Sequence, residues 1–187
     1  MTGEARPFSR AAAVASRLRP MLSSDLDAVL ALEQELFPDD AWTQEMFADE
    51  VSQPTDSRLY LVAEGGNVRD GEGGADLGCG KEKSPGAGLA GYAGLMFVPD
   101  GISADVLTIA VAEATWGRGV GSALLAALVD AARRRGCEQM FLEVRKDNPR
   151  ARGLYLRRGF EEIGVRRGYY QPAGVDAIVM RKDLKAS

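Results

Sequence analysis

Val111-Ala112-Glu113-Ala114-Thr115-Trp116-Gly117-Arg118-Gly119-Val120-Gly121-Ser122-Ala123-Leu124-Leu125 is the stretch that decides the fold of this chain. An apolar strand pattern ends at Val111, a glycine-rich turn follows, and an amphipathic helix starts at once. Glycines let backbone N–H groups converge, and the dipole of the helix favours negative charge at its N-terminus. The order strand, Gly-rich turn, helix therefore predicts a phosphate or pyrophosphate site. Two common phosphate motifs are excluded. No Lys-Ser/Thr follows the glycines, and Gly117, Gly119 and Gly121 alternate instead of keeping the G-x-G-x-x-G spacing.

Working outward, periodicity predicts a short strand at Leu18-Arg19-Pro20-Met21. A helix capped by Ser24-Asp25 follows, with Leu26, Val29, Leu30, Leu32 and Leu36 as its apolar positions. Phe37-Pro38-Asp39-Asp40-Ala41-Trp42 reads as a turn, and Thr43 caps a second helix over Gln44 to Val51. Strands are predicted at Arg58 to Glu64, Leu89 to Val98 and Ala104 to Val111, with a turn at Pro99-Asp100-Gly101 between the last two. The helix after the quoted turn runs from about Arg118 to Arg135 and ends at Gly136. Gln139 to Val144 is a strand, and Asn148-Pro149 opens a short helix with Pro at its first position. Phe160 to Arg167 and Asp176 to Lys182 complete the strands. The order β-α-α-β-β-β-α-β-α-β-β predicts an α/β domain with one central mixed sheet.

Residues 1–16 show no period and read as a disordered extension, leaving 17–187 as one domain. Gly65 to Gly88 is rich in glycine and charge and poor in anything to bury, so it reads as a flexible loop between two strands.

Composition narrows the chemistry. The chain has 187 residues, 45% apolar and 27% charged, as expected of a globular protein with a real core. No apolar run approaches the ~20 residues that cross a bilayer, and Ala11 to Ala15 is too short for a signal peptide. Cys79 and Cys137 lie far apart without metal spacing. A cytoplasmic protein with no metal and no membrane partner is expected. The absence of histidine excludes a His-based triad and a His general base, so any proton transfer falls to Asp, Glu, Tyr, Cys or Lys. The net charge of −4 is uneven: residues 116–170 hold 12 Arg/Lys against 6 Asp/Glu. That basic half suits an anionic ligand, although solvated helix faces such as Arg133-Arg134-Arg135 account for part of it.

Two further residues have a functional and a structural reading. Glu143 lies inside the apolar strand Phe141-Leu142-Glu143-Val144-Arg145. It is either the solvent face of a half-buried strand or a general base whose apolar surroundings raise its pKa. Tyr155 is either a helix aromatic packed on the sheet or a phenol that protonates a leaving group.

Leu142-Glu143-Val144-Arg145, then Asn148, Leu154-Tyr155 and Gly159-Phe160, resembles the motif series of the GCN5-related N-acetyltransferases. The quoted turn resembles their R/Q-x-x-G-x-G/A pyrophosphate turn, except that Trp116 stands where Arg or Gln is usual. Arg166-Arg167-Gly168-Tyr169-Tyr170, Asp176 to Met180 and Leu36-Phe37-Pro38 with Trp42 and Phe47 are similar to the RimI-type enzymes of that family. Those enzymes acetylate the N-terminal alanine of a small-subunit ribosomal protein. The resemblance spans Leu18 to Leu184 apart from the Gly-rich loop, and implies a mostly antiparallel sheet flanked by helices.

It also implies roles. Ile109, Ala110 and Val111 hold the acetyl and pantetheine portion of acetyl-CoA through backbone groups. Gly117, Arg118, Gly119, Val120, Gly121 and Ser122 hold the pyrophosphate, and Asn148 hydrogen-bonds the cofactor. Glu143 is the proton acceptor and Tyr155 the proton donor. Leu36, Phe37, Trp42, Tyr169 and Tyr170 form a groove for the substrate's N-terminal segment, with no nucleic acid involved. Acetylation of a small-molecule amine or a lysine, and a non-catalytic acyl-CoA-binding module, are the alternatives.

Overall fold

In the computed structural model the described residues are 17–38, 41–54, 56–65, 88–99 and 101–185. The N-terminal extension over residues 1–16, residues 66–87 of the Gly-rich loop, Asp39 and Asp40 of the first turn and Asp100 of the second lie outside them.

The element order expected from the sequence is the one observed. Among the described residues there are seven strands: β1 (Leu18–Pro20), β2 (Arg58–Glu64), β3 (Leu89–Phe97), β4 (Ser103–Val111), β5 (Gln139–Arg145), β6 (Glu161–Tyr170) and β7 (Val175–Asp183). The helices are α1 (Leu26–Leu36), α2 (Gln44–Ser52), α3 (Val120–Arg134) and α4 (Pro149–Arg157). The strands make one sheet in the order β1-β2-β3-β4-β5-β7-β6, antiparallel throughout except for the β4–β5 pair.

Alternation sorts side chains to two faces. Tyr60, Val62 and Tyr92 pack with α1 and α2. Leu61, Ala63, Ala93, Met140, Leu142 and Val144 pack with α3 and α4. The apolar stripe of α3 buries Val120, Leu124, Leu125, Leu128 and Val129 against that second face.

Several boundaries differ from expectation, β6 most of all, since it runs on to Tyr170 instead of ending at Arg167. Helix α3 begins at Val120, because Gly119 has φ +86°, a left-handed conformation that cannot continue a helix. Asp25 does not cap α1. Its carboxylate accepts the Leu22 N–H at 2.8 Å and both ends of the Arg19 guanidinium, at 2.6 and 2.8 Å. Thr43 does cap α2, accepting the Met46 N–H at 3.2 Å.

The relation of β4 to β5 creates the site. Their parallel pairing runs only from Ser103–Gln139 to Val106–Leu142. The next residue, Leu107, is an extra one in β4: against β3, Leu95 pairs Val106 and Gly94 pairs Thr108. Such a bulge reverses which residues face which side and bends the strand. Before it, Ala104 and Val106 face α3. After it, Ile109 and Val111 do. Beyond Leu142 the two strands diverge, and a cleft opens between them.

Candidate active site

Two cavities meet at that divergence. The larger, about 760 Å³, runs from Ile109, Ala110 and Val111 along Gly117, Gly119, Val120, Gly121 and Ser122 to Asn148 and Arg150. The smaller, about 160 Å³, lies on the α1 side and is lined by Glu33, Phe37, Trp42, Thr108, Glu143 and Tyr170 among others. Phe37, Ile109, Arg145, Asn148, Ala151 and Tyr155 border both. The first is in the size range of a pocket for a cofactor-sized ligand, and the second takes a few atoms.

The walls of the larger cavity present backbone donors. Ala112 donates to Ala90 C=O at 3.0 Å, so in this register alternate β4 residues, Ala110 among them, bond to β3. Ile109 and Val111 turn their N–H groups and the Ile109 C=O the other way, into the gap, while the Val111 C=O accepts the Trp116 indole N–H at 2.9 Å. At the opposite end, the first bond of α3 runs from Ala123 N–H to Gly119 C=O at 2.9 Å. The N–H groups of Val120, Gly121 and Ser122 are therefore not taken up by the helix. Gly117 and Gly119 have φ +77° and +86°, which only glycine adopts easily. Val120 reaches the cavity by its backbone alone, since its side chain is buried in the core. Arg118 lines neither cavity.

Glu143 and Tyr155 reach the opening from opposite faces of the sheet. On β5, Met140, Leu142 and Val144 point toward α3 and α4, so Glu143 points toward α1. Of its two sequence readings, the half-buried strand position fits and the apolar surroundings do not. Arg166 Nη1 on β6 lies 3.1 Å from Glu143 Oε1, and the Glu143 side chain is 27% exposed. Tyr155 comes from α4 and is 7% exposed, packed edge-on against Phe160 with ring centroids 5.9 Å apart. Burial pushes its phenol up to about 12. It is thus both a packed aromatic and a protonated hydroxyl at the junction of the two cavities. Asn148 borders both cavities too. Its side-chain oxygen accepts the Ala151 N–H at 3.0 Å and caps α4, which leaves the amide nitrogen for a ligand.

The smaller cavity is walled by residues from both ends of the chain. Trp42 packs tilted against Phe47, with ring centroids 5.1 Å apart, and Phe47 meets Tyr92 edge-on at 5.7 Å. Tyr170 carries the Arg145 guanidinium 5.3 Å from its ring centroid, and burial raises its phenol pKa. Leu36 borders the larger cavity, and Phe37 borders both. Tyr169 lines neither and packs edge-on behind Tyr170 at 5.2 Å.

Three residues matter to which the sequence assigned no role. Glu33, 3% exposed, accepts the Trp42 N–H at 3.1 Å and bonds the Tyr92 hydroxyl, which Thr108 also bonds. Its position was legible, because 26, 29, 30, 33 and 36 form one helical stripe. Arg166 pairs with Glu143 across β7. Arg150 stacks on Trp116 at the mouth of the larger cavity.

The sequence model of the acetyltransferase (GNAT) family matches residues 26–160. The chain is 34% identical over 163 residues to N-alpha-acetyltransferase RimI of Mycobacterium tuberculosis, covering 86% of this chain and 87% of that protein. Its fold matches the ribosomal-protein-S18-alanine N-acetyltransferase from Escherichia coli with TM-score 0.68 and 27% identity, over 92% of this chain and 96% of that one. It also matches Arabidopsis thaliana NAA60 in complex with acetyl-CoA, with TM-score 0.70 and 19% identity over 89% and 97% of the two chains, a likeness of fold.

Proposed function

The chain belongs to the acetyltransferase (GNAT) family, and from that premise we propose that it moves an acetyl group from acetyl-CoA to a protein N-terminus. The acceptor is the N-terminal amine, an alanine, of a small-subunit ribosomal protein or a similar chain. One observation carries this reading: the two cavities meet where Glu143 and Tyr155 reach the gap between β4 and β5 from opposite faces. The similarity to RimI and to the S18-alanine enzyme supports it.

Acetyl-CoA supplies an activated acetyl thioester. The Val120, Gly121 and Ser122 N–H groups and the left-handed Gly117 and Gly119 suit its pyrophosphate, and the space beside both glycines is open to 4 Å. Ile109 and Val111 offer backbone groups to the pantetheine along the open edge of β4. Glu143 accepts a proton from the substrate ammonium. The Val111 N–H donates to the thioester oxygen as negative charge develops there. The freed amine attacks the thioester carbon, and the C–S bond breaks as Tyr155 gives its proton to the departing sulfur. The proton that the new amide nitrogen sheds passes back to the phenolate. Burial keeps the phenol protonated until that step.

The test is acetylation of a peptide library with acetyl-CoA, read at residue level by mass spectrometry. Modification confined to N-terminal amines is the expected result. Modification only of lysines or of free small amines would overturn the reading.

A further inference from the structure

Trp116 and Arg150 form a pair that the reaction as described leaves unused. Trp116 precedes the glycine turn, and Arg150 lies in the first turn of α4. The Arg150 guanidinium carbon sits 3.6 Å from the centroid of the indole ring. The ring is itself tethered, because its Nε1 donates to Val111 C=O at 2.9 Å. Trp116 is 40% exposed, and both residues line the larger cavity beside Gly117 and Gly119.

Three nearby arginines are committed to carboxylates: Arg145 to Asp147, Arg152 to Glu162 and Arg166 to Glu143. Arg150 has no carboxylate partner among the described residues, and its contact is with the ring face. A guanidinium uses its flat face to stack and keeps its N–H donors in its plane. The stack therefore orients the cation without spending any donor. A planar fork of donors held in this way suits two phosphate oxygens. The amides of the glycine turn and this fork approach the same end of the cavity from two walls.

We propose that Arg150, held in place by Trp116, binds the diphosphate of coenzyme A opposite the Gly117–Ser122 turn. The proposal rests on the acetyl-CoA reading above. It makes the tryptophan at position 116 a platform and moves the cation from the turn to α4.

The experiment is calorimetric titration of the full chain with acetyl-CoA, its 3′-dephospho form and S-acetylpantetheine. Arg150→Ala is expected to weaken both nucleotide thioesters equally, by about tenfold or more, as for a charge-assisted hydrogen bond. It should leave S-acetylpantetheine unchanged. Arg150→Lys should restore only part of the loss. Trp116→Ala should cost less than Arg150→Ala and nothing further in the Arg150→Ala background. The loss should shrink as salt rises. Unchanged affinity in Arg150→Ala, or a loss that disappears with the 3′-dephospho form, would overturn the assignment. If the parent chain binds no acetyl-CoA, the cofactor reading itself fails, whereas normal parent binding with an indifferent Arg150→Ala rejects this inference alone.

Discussion

Arg166 Nη1 lies 3.1 Å from Glu143 Oε1, so the expected proton acceptor meets the smaller cavity already paired with a cation. The two residues belong to β6 and β5, with β7 between them. Arg166 is more than half exposed and can swing into water. A substrate ammonium entering the cavity would take the place of one cation with another, without leaving the carboxylate unpaired.

Glu143→Gln is therefore expected to lower kcat by about 10²–10⁴ while leaving acetyl-CoA affinity unchanged. Arg166→Gln should act differently. It removes the competing cation, so peptide KM should fall and turnover should persist. Steady-state kinetics with calorimetry of acetyl-CoA checks both, and wild-type kcat in Glu143→Gln would remove the residue from proton transfer.

Tyr155 gives a prediction about pH. Desolvation raises its phenol pKa to about 12, so the protonated donor form persists at every pH below that value. The substrate amine, with a pKa of ~8, gains its nucleophilic form as pH rises. The kcat/KM profile should rise to a plateau near pH 8–9 and show no basic fall before pH 10. Tyr155→Phe should lower the plateau without moving the rise. A fall beginning near pH 9 in the parent enzyme would count against Tyr155 as the donor.

Much of this arrangement was legible in the sequence, and the remainder has physical reasons for being hidden. Most helices and strands carry their own apolar period, so their order could be read from it, although β6 is exposed along nearly its whole length. The strand position of Glu143 and the cap at Asn148 followed from it. The bulge at Leu107 carries no local mark, since Val106, Leu107, Thr108 and Ile109 are all good strand formers. Only tertiary pairing decides which of them is the extra residue. Arg166 could not be assigned to Glu143 because that contact depends on the order β5-β7-β6. Glu33 lies on the legible apolar stripe of α1, but its partners, the Trp42 N–H and the Tyr92 hydroxyl, are brought to it only by tertiary packing.

Glu33 is the basis of the next prediction. It joins α1 to the backbone of Trp42 and to Tyr92 in the sheet, so it fixes one wall of the smaller cavity. Glu33→Ala leaves a buried hydroxyl and a part-buried N–H without their acceptor, at a cost of about 1–3 kcal/mol each. Peptide KM should rise more than acetyl-CoA affinity falls. Urea unfolding and the two binding measurements together test this, and unchanged stability would show that the network contributes nothing.

Asp25 links stability to pH. The Arg19 guanidinium and then the Leu22 N–H hold its carboxyl below the usual carboxylate range of about 3.8, against the opposing effect of burial. A lowered folded-state pKa means stability that is fully present above the unfolded value and lost as pH falls through the folded one. Asp25→Asn should therefore destabilise the protein at pH 7, by about 1–3 kcal/mol. The gap should close below pH 4. A gap that stays constant from pH 7 to pH 3 would contradict the ion pair.

The acceptor is tested at Tyr170. This residue closes the smaller cavity opposite Phe37 and Trp42, and Arg145 and Tyr169 pack on its ring. A space of about 160 Å³ favours a small first residue on the substrate. The amine chemistry points the same way. Near pH 7.4 an α-amine of pKa ~8 is roughly one-fifth neutral, against about one in a thousand for a lysine at ~10.4. Tyr170→Ala should therefore cut kcat/KM for an N-terminal alanine peptide by about tenfold or more, as for loss of a packed aromatic contact. Acetyl-CoA affinity should be unaffected, because Tyr170 lies outside the larger cavity. Matched peptides, one with a free N-terminus and one with only a lysine amine free, decide the class of substrate. Preference for the free N-terminus that weakens in Tyr170→Ala is the expected outcome, and preference for the lysine peptide would assign the smaller cavity to a side chain instead.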